Sequence, residues 1–97
     1  MYARVSTYKM KVEAFDEAQA MIQEIGPQIA ALPGLRDFKN VGRGSDGSGV
    51  VIAIYDDQAA AEAAAAAAGE IWAQFANHLV SPPEIEGYDM VIDLPQG

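Results

Sequence analysis

The segment Val50-Val51-Ile52-Ala53-Ile54-Tyr55 decides how this chain is read. Its β-branched and aromatic residues favour an extended backbone, and neither parity is polar, so both sides of the resulting strand call for cover. Asp56-Asp57 follows and supplies an N-cap for a helix over about residues 58–77. Nine of the ten residues from Ala59 to Ala68 are alanine, the strongest helix former. Beyond Gly69, the positions Ala68, Trp72, Phe75 and Leu79 continue an apolar stripe until Ser81-Pro82-Pro83 ends it. On the other side, Gly42-Arg43-Gly44-Ser45-Asp46-Gly47-Ser48-Gly49 is dense in residues that tolerate positive φ. It predicts a hairpin joining a strand at 35–43 to one at 49–55.

Further out, Phe15, Ala18, Ile22, Ile25, Ile29 and Leu32 recur at three-then-four spacing and predict a helix over 15–32 with one buried stripe. Asp16 and Glu17 favour its positive end. Gly26-Pro27 predicts a kink or tightened turn within that helix rather than two separate helices, because Pro27 lacks a backbone donor. Leu32-Pro33-Gly34 stops it. Residues 2–10 read as an opening strand and Ile85 to Leu94 as a final one, with Pro95-Gln96-Gly97 a frayed tail. The order is β-α-β-β-α-β, an α+β ferredoxin-like arrangement. It implies a four-stranded antiparallel sheet with two helices on one face, in one domain over 1–97.

Six basic residues against fourteen acidic ones leave a net charge of −8. That balance argues against nucleic acid and anionic membranes, which are met by Lys/Arg footprints. With no cysteine there is no disulfide, thiol nucleophile or thiolate metal site. The N-terminus lacks a signal architecture, and no stretch is long and apolar enough to span a bilayer, so a soluble, cytoplasmic protein is expected. A chain of 97 residues builds a small core, and its two helices cover only one sheet face. The doubly apolar strand at 50–55 therefore predicts a second copy packed sheet to sheet across a two-fold axis.

The pattern resembles the dimeric α+β barrel superfamily and, within it, the antibiotic biosynthesis monooxygenase-like domains. The resemblance runs over residues 2–94. It is carried by Ala3-Arg4-Val5-Ser6-Thr7-Tyr8, Phe15-Asp16-Glu17-Ala18, Ala31-Leu32-Pro33-Gly34-Leu35 and Val51-Ile52-Ala53-Ile54-Tyr55. It implies a homodimeric barrel and an oxidation of an aromatic or polyketide-like molecule with no metal or prosthetic group. In such a reaction the substrate's own carbanion reduces oxygen, and the protein supplies a base, donors for the enolate and an apolar cavity. Other members degrade heme and carry an Asn on the first strand, a Trp in the second helix and a His ligand about three turns later. Here Ser6 stands at the strand position, and Trp72 and His78 are six residues apart, about 120° around a helix.

His78 is the only histidine and the candidate base. Its plainer role is that of a cation in the last turn of the second helix. Trp72 and Phe75 are core residues or the walls of a cavity. Asn77 could bind substrate oxygen or cap the helix. Tyr2, Arg4, Ser6 and Tyr8 share one strand face and would line either a pocket or a dimer interface. The alanine run either leaves room for a ligand or reflects compositional bias, the plainer reading for a chain with 18 alanines. Glu84 and Glu86 share a face while Asp89 lies on the other, which makes no transition-metal site. The expected function is a cofactor-independent monooxygenase-like protein that uses His78 as base, Trp72 and Phe75 as walls, and Tyr8, Ser6 or Arg4 as positioners. The rival is a non-catalytic dimeric module that binds a small ligand or stabilises a partner.

Overall fold

The computed structural model describes residues 1–94. The chain runs β1 (Tyr2–Lys9), a single 3₁₀ turn (Val12–Ala14), α1 (Phe15–Glu24), α2 (Gly26–Ala30), β2 (Leu35–Arg43), β3 (Ser48–Tyr55), α3 (Gln58–Ala73) and β4 (Glu84–Asp89). The four strands form one antiparallel sheet in the order β2-β3-β1-β4, the predicted ferredoxin-like arrangement. The expected tail at residues 95–97 lies outside the described residues.

Strand register assigns the faces. Phe38, Ala53, Arg4 and Gly87 make one row across the sheet, and Asn40, Val51, Ser6 and Ile85 the next. These rows lie beneath the helices, where Val51, Ala53, Tyr55, Ser6 and Tyr8 are buried. The opposite face carries Lys39, Ile52, Val5 and Glu86 in one row and Val41, Val50, Thr7 and Glu84 in another. β3 is apolar on both sides, as its sequence indicates.

The first helical region departs from expectation. It is two helices broken at Ile25, although Ile25 N still donates to Met21 O and Ile29 N to Ile25 O. Pro27 has no N–H to continue the ladder, so the turn loosens one step before it. The predicted stripe still buries Ala18, Ile29 and Leu32. α3 begins as predicted, the Asp57 side chain accepting from Ala60 N at 2.7 Å. It ends at Ala73, four residues short of Asn77. Phe75 N donates to Trp72 O, Ala76 N to Ala73 O and His78 N to Phe75 O, tighter three-residue steps that wind the helix down. The chain then lies against the end of β1, with Lys11 N donating to His78 O and Val80 N to Lys9 O.

β4 is also shorter than predicted. It stops at Asp89 because β1, its one partner, has reached its first residue there (Tyr2 opposite Asp89). Val91, Ile92 and Leu94 are apolar but exposed and form no strand. The hairpin between β2 and β3 turns where it was expected. Gly47 has φ of 77° and packs so closely on Met10 O that no side chain fits.

The core has two buried clusters, one around Tyr8, Met10, Ala18, Val51, Phe75 and Leu79. The other gathers Ile29, Leu32, Ala53, Tyr55, Ala61 and Ala64. Ile22, Ile25, Phe38 and Ile71 are half-buried and touch both.

Candidate functional site

Where the two clusters meet, the layer between helices and sheet is incompletely filled. A cavity of ≈ 70 Å³ lies there, its floor set by Arg4, Ser6 and Tyr8 of β1 and Val51, Ala53 and Tyr55 of β3. Ile22, Ile25 and Ile29 wall one side; Ala61, Ala65, Ala68, Ile71, Trp72 and Phe75 wall the other. Alanine is what leaves the space: α3 lines the cavity, which Arg4 and Ser6 also line, with the short side chains of Ala61, Ala65 and Ala68. Ala59, Ala63, Ala66 and Ala67 on its outer side are exposed, so the compositional reading holds for that face alone. The lining continues to Ile85, 44% exposed on an edge strand that is exposed along its whole length. A wider groove of ≈ 390 Å³ between α2 and β2 is a shallow surface feature lined by Ile22, Leu35, Arg36 and Phe38 among others.

The even face of β1 points into this space, an assignment parity alone left open. Tyr8 is a wall of the cavity. Its hydroxyl donates to Asn40 Oδ1 at 2.7 Å, Asn40 Nδ2 donates to Gln19 Oε1 at 2.8 Å, and Gln19 Nε2 reaches back to the Tyr8 hydroxyl at 3.5 Å. The phenol's donor is thus already engaged. The ring fits because Gly49 stands opposite it: a Cβ there would come within 2.2 Å of Tyr8. Trp72 packs on Tyr8 with ring centroids 5.7 Å apart, a tilted aromatic pair. Gln19 and Asn40 escaped the sequence reading. Asn40 was detectable only as a polar residue in a strand; its partners needed the β2–β3 register.

Ser6 and Arg4 of β1 are polar residues of the lining that no side-chain hydrogen bond or ion pair engages among the described residues, as are the Tyr55 hydroxyl and the Trp72 ring nitrogen. Ser6 is 4% exposed and its hydroxyl takes no protein hydrogen bond among the described residues. Arg4 is half-buried and lies in the row between Ala53 and Gly87. Burial raises the Tyr55 hydroxyl above its ordinary pKa of 10.0, while the nearby positive charge of Arg4 pulls the other way.

His78 and Asn77 are not brought to the cavity lining. His78 lies past the end of α3, with Nε2 3.0 Å from Glu17 Oε2 and its ring edge-on to Phe75. It thus ties the end of the α3 region to the first turn of α1. Asn77 is exposed, and the residue that caps α3 is Gln74. Among the described residues no three His, Asp or Glu side chains come together as a metal site requires, and no helix is long and apolar enough to cross a membrane.

No family model and no curated protein sequence matches the chain. Solved structures do match. A crystal structure of an antibiotic biosynthesis monooxygenase aligns over 95% of this chain and 100% of its own, at 19% identity and a TM-score of 0.77. The chain has the fold of the antibiotic biosynthesis monooxygenases. A protein of unknown function from Nitrosomonas europaea shares this monooxygenase fold, with 24% identity, coverage of 99% and 95%, and a TM-score of 0.78. A heme-degrading protein from Mycobacterium tuberculosis, solved with two hemes in its active site, aligns over 98% and 100% at 15% identity and a TM-score of 0.72. One monooxygenase fold therefore carries unlike chemistries, and identities this low establish the fold alone.

Proposed function

We propose that the cavity beneath α3 is a small-molecule site and that the protein is a cofactor-independent monooxygenase-like enzyme for a small aromatic or polyketide-like substrate. One observation carries this reading: an apolar cavity has on its floor a guanidinium and a hydroxyl, Arg4 and Ser6, that no side-chain ion pair or hydrogen bond engages among the described residues and that can therefore meet a ligand's oxygen. In the reaction, a substrate CH₂ beside an aromatic ketone or enol loses a proton, and the resulting carbanion bonds to O₂. The hydroperoxide then loses water, leaving C=O, so that CH₂ and O₂ become C=O and H₂O. Arg4 and Ser6 would hold the enolate oxygen, and Trp72 and Phe75 would exclude water from the ring. The lining contributes no carboxylate or imidazole. The reading therefore favours a substrate acidic enough to ionise on its own and leaves His78 a supporting position.

Oxygen-uptake screening against single-ring quinol substrates, with three-ring anthrone-like compounds as a size control, tests this. Arg4→Gln and Ser6→Ala are expected to lower kcat/KM by about 10²-fold and about 10-fold, respectively. His78→Ala is expected to change turnover little. No uptake with any such substrate would favour the non-catalytic ligand-binding module instead. Heme degradation is poorly supported, because the cavity is far smaller than a porphyrin and His78 Nε2 faces Glu17.

The same reading includes a homodimer through the helix-free face of the sheet. Val5, Val41, Val50 and Ile52 form an apolar centre there, flanked by Lys39 and Arg43 along β2 and by Glu84 and Glu86 along β4. Lys39 is paired with Asp37 and Arg43 with Asp46, so the apolar centre rather than the charged edges supports pairing across a two-fold axis. Light scattering at micromolar concentration is expected to give twice the chain mass of 10.3 kDa; a value near 10.3 kDa would overturn the dimer.

A further inference from the structure

Arg4 is the one charged side chain in the cavity lining, and it stands without a partner. The other two arginines are engaged, Arg36 with Asp56 at 2.9 Å and Arg43 with Asp46 at 3.3 Å. Among the described residues no carboxylate comes within 4.0 Å of Arg4. Asp89 shares its sheet face, opposite Tyr2, and stays outside that distance. Lys9 and Lys11 also make no ion pair among the described residues, but they do not line the cavity; Arg4 combines an unpaired charge with apolar walls. A guanidinium drawn partly out of water needs a compensating anion, and its planar fork matches a carboxylate's two oxygens.

The surroundings add shape to that charge. Arg4 is flanked across the sheet by Ala53 and Gly87, and the Tyr2 ring lies over Gly87 beside it. Ser6, two residues along the same face, offers a free hydroxyl. Opposite them stand Trp72, Phe75 and Ile71. The cavity of ≈ 70 Å³ is about half the roughly 150 Å³ that accommodates a benzene molecule, so one ring is the largest body that modest side-chain movement admits. Trp72 and Ile71, both half-buried, are the walls able to move.

We propose that the cavity binds a small apolar monocarboxylate, its carboxylate held by Arg4 with Ser6 as a second donor and its single ring packed against Trp72 and Phe75. This rests on the reading of the cavity as the ligand site and narrows the substrate to an aromatic acid or an analogue with an equally placed acidic oxygen.

Trp72 is the sole tryptophan and lines the cavity, so its fluorescence reports occupancy without any turnover. Benzoate and benzamide, near-isosteric and differing in charge, are titrated at neutral pH and low salt. Benzoate is expected to bind about tenfold tighter or better. Arg4→Gln should bring the two probes within about twofold, while Arg4→Lys keeps part of the preference, since a point charge without the fork remains. Circular dichroism melts establish that each variant folds. Should Arg4→Gln not fold, a salt series on the unaltered protein replaces it: added salt should erode the benzoate preference and leave benzamide unchanged. Equal affinities for the two probes, a preference that survives Arg4→Gln, or no saturation by either below about 10 mM would each overturn the proposal. Oxygen uptake that fails while the benzoate preference holds would remove the oxidation reading and leave this one standing.

Discussion

Two helical regions lie on the same face of one sheet and are built in opposite ways. The α1–α2 region brings Phe15, Ile22, Ile25, Ile29 and Leu32 to the sheet, long side chains that build the core clusters and one wall of the cavity. α3 brings Ala61, Ala64, Ala65 and Ala68 before its large residues begin at Ile71. An alanine face packs wherever the backbone can approach and leaves a gap wherever it cannot. Ala64 is 0% exposed and lies outside the cavity lining, so α3 does approach at that position. Further along, Ala65 and Ala68 border the cavity over Arg4 and Ser6. The site is thus made by the contrast between a region of long side chains and a region of short ones.

The largest effect expected from breaking this contrast is in the region of long side chains. Ile29→Ala removes a buried side chain from the second core cluster and should cost about 2–5 kcal/mol, read from the urea midpoint at unchanged slope. A loss below about 1 kcal/mol would mean that α2 adds little to the packing. On the other side, two substitutions of the same kind should differ. Ala64→Leu forces three more heavy atoms into a fully packed position and should destabilise by about 1–3 kcal/mol. Ala68→Leu grows into the cavity instead, should stay within about 1 kcal/mol of the unaltered protein, and should abolish the fluorescence response to benzoate. Equal penalties at both would dissolve the distinction between packed and unpacked positions along α3.

The helices also start differently. α3 has Asp57 bonded to Ala60 N, whereas Ala14 at the start of α1 offers no side chain to cap it. Asp57→Ala should therefore cost about 1 kcal/mol in thermal or urea unfolding, and Asp57→Asn much less. A neutral Asp57→Ala would show that the alanine run holds the first turn of α3 through propensity alone.

The sequence disclosed much of this because separate signals agreed. The three-four stripe, the Asp57 cap, the glycine hairpin and the apolar run at 50–55 each specify one element, and their order specifies the fold. What it hid depended on contacts between elements. The length of β4 is set by where β1 runs out, and the break at Ile25 by a bond that Pro27 cannot make. That Tyr2, Arg4, Ser6 and Tyr8 share a face is a matter of parity and was legible. Which face the helices cover was not, since Val51 and Ile52 are equally apolar. In sequence His78 belongs to the last turn of the second helix, but the helix stops at Ala73 and the tighter turns beyond it carry the ring to Glu17. The alanines looked like bias because composition is blind to the two faces of one helix.

Tyr55 offers the finest probe of where the two helical regions meet, because its ring belongs to the cluster formed by Ile29 and Leu32 on one side and Ala61 and Ala64 on the other. Burial disfavours its phenolate and raises its pKa above 10.0. A group whose folded pKa is raised keeps its full contribution below the unfolded value, so near neutral pH Tyr55 adds no pH dependence to stability. As the pH climbs past 10.0 the unfolded chain loses this proton first, and stability falls until the folded value is passed. Melting temperatures taken across that alkaline window should therefore decline more steeply for the unaltered protein than for Tyr55→Phe. The cavity enters through Arg4, whose charge opposes the rise. Arg4→Gln should move the Tyr55 phenolate absorbance to still higher pH, whereas Arg36→Gln, whose guanidinium is bound to Asp56 at the surface, should leave it in place. A Tyr55 titration that ignores Arg4→Gln would mean that the guanidinium is turned out to solvent, and it would take the charged floor of the cavity with it.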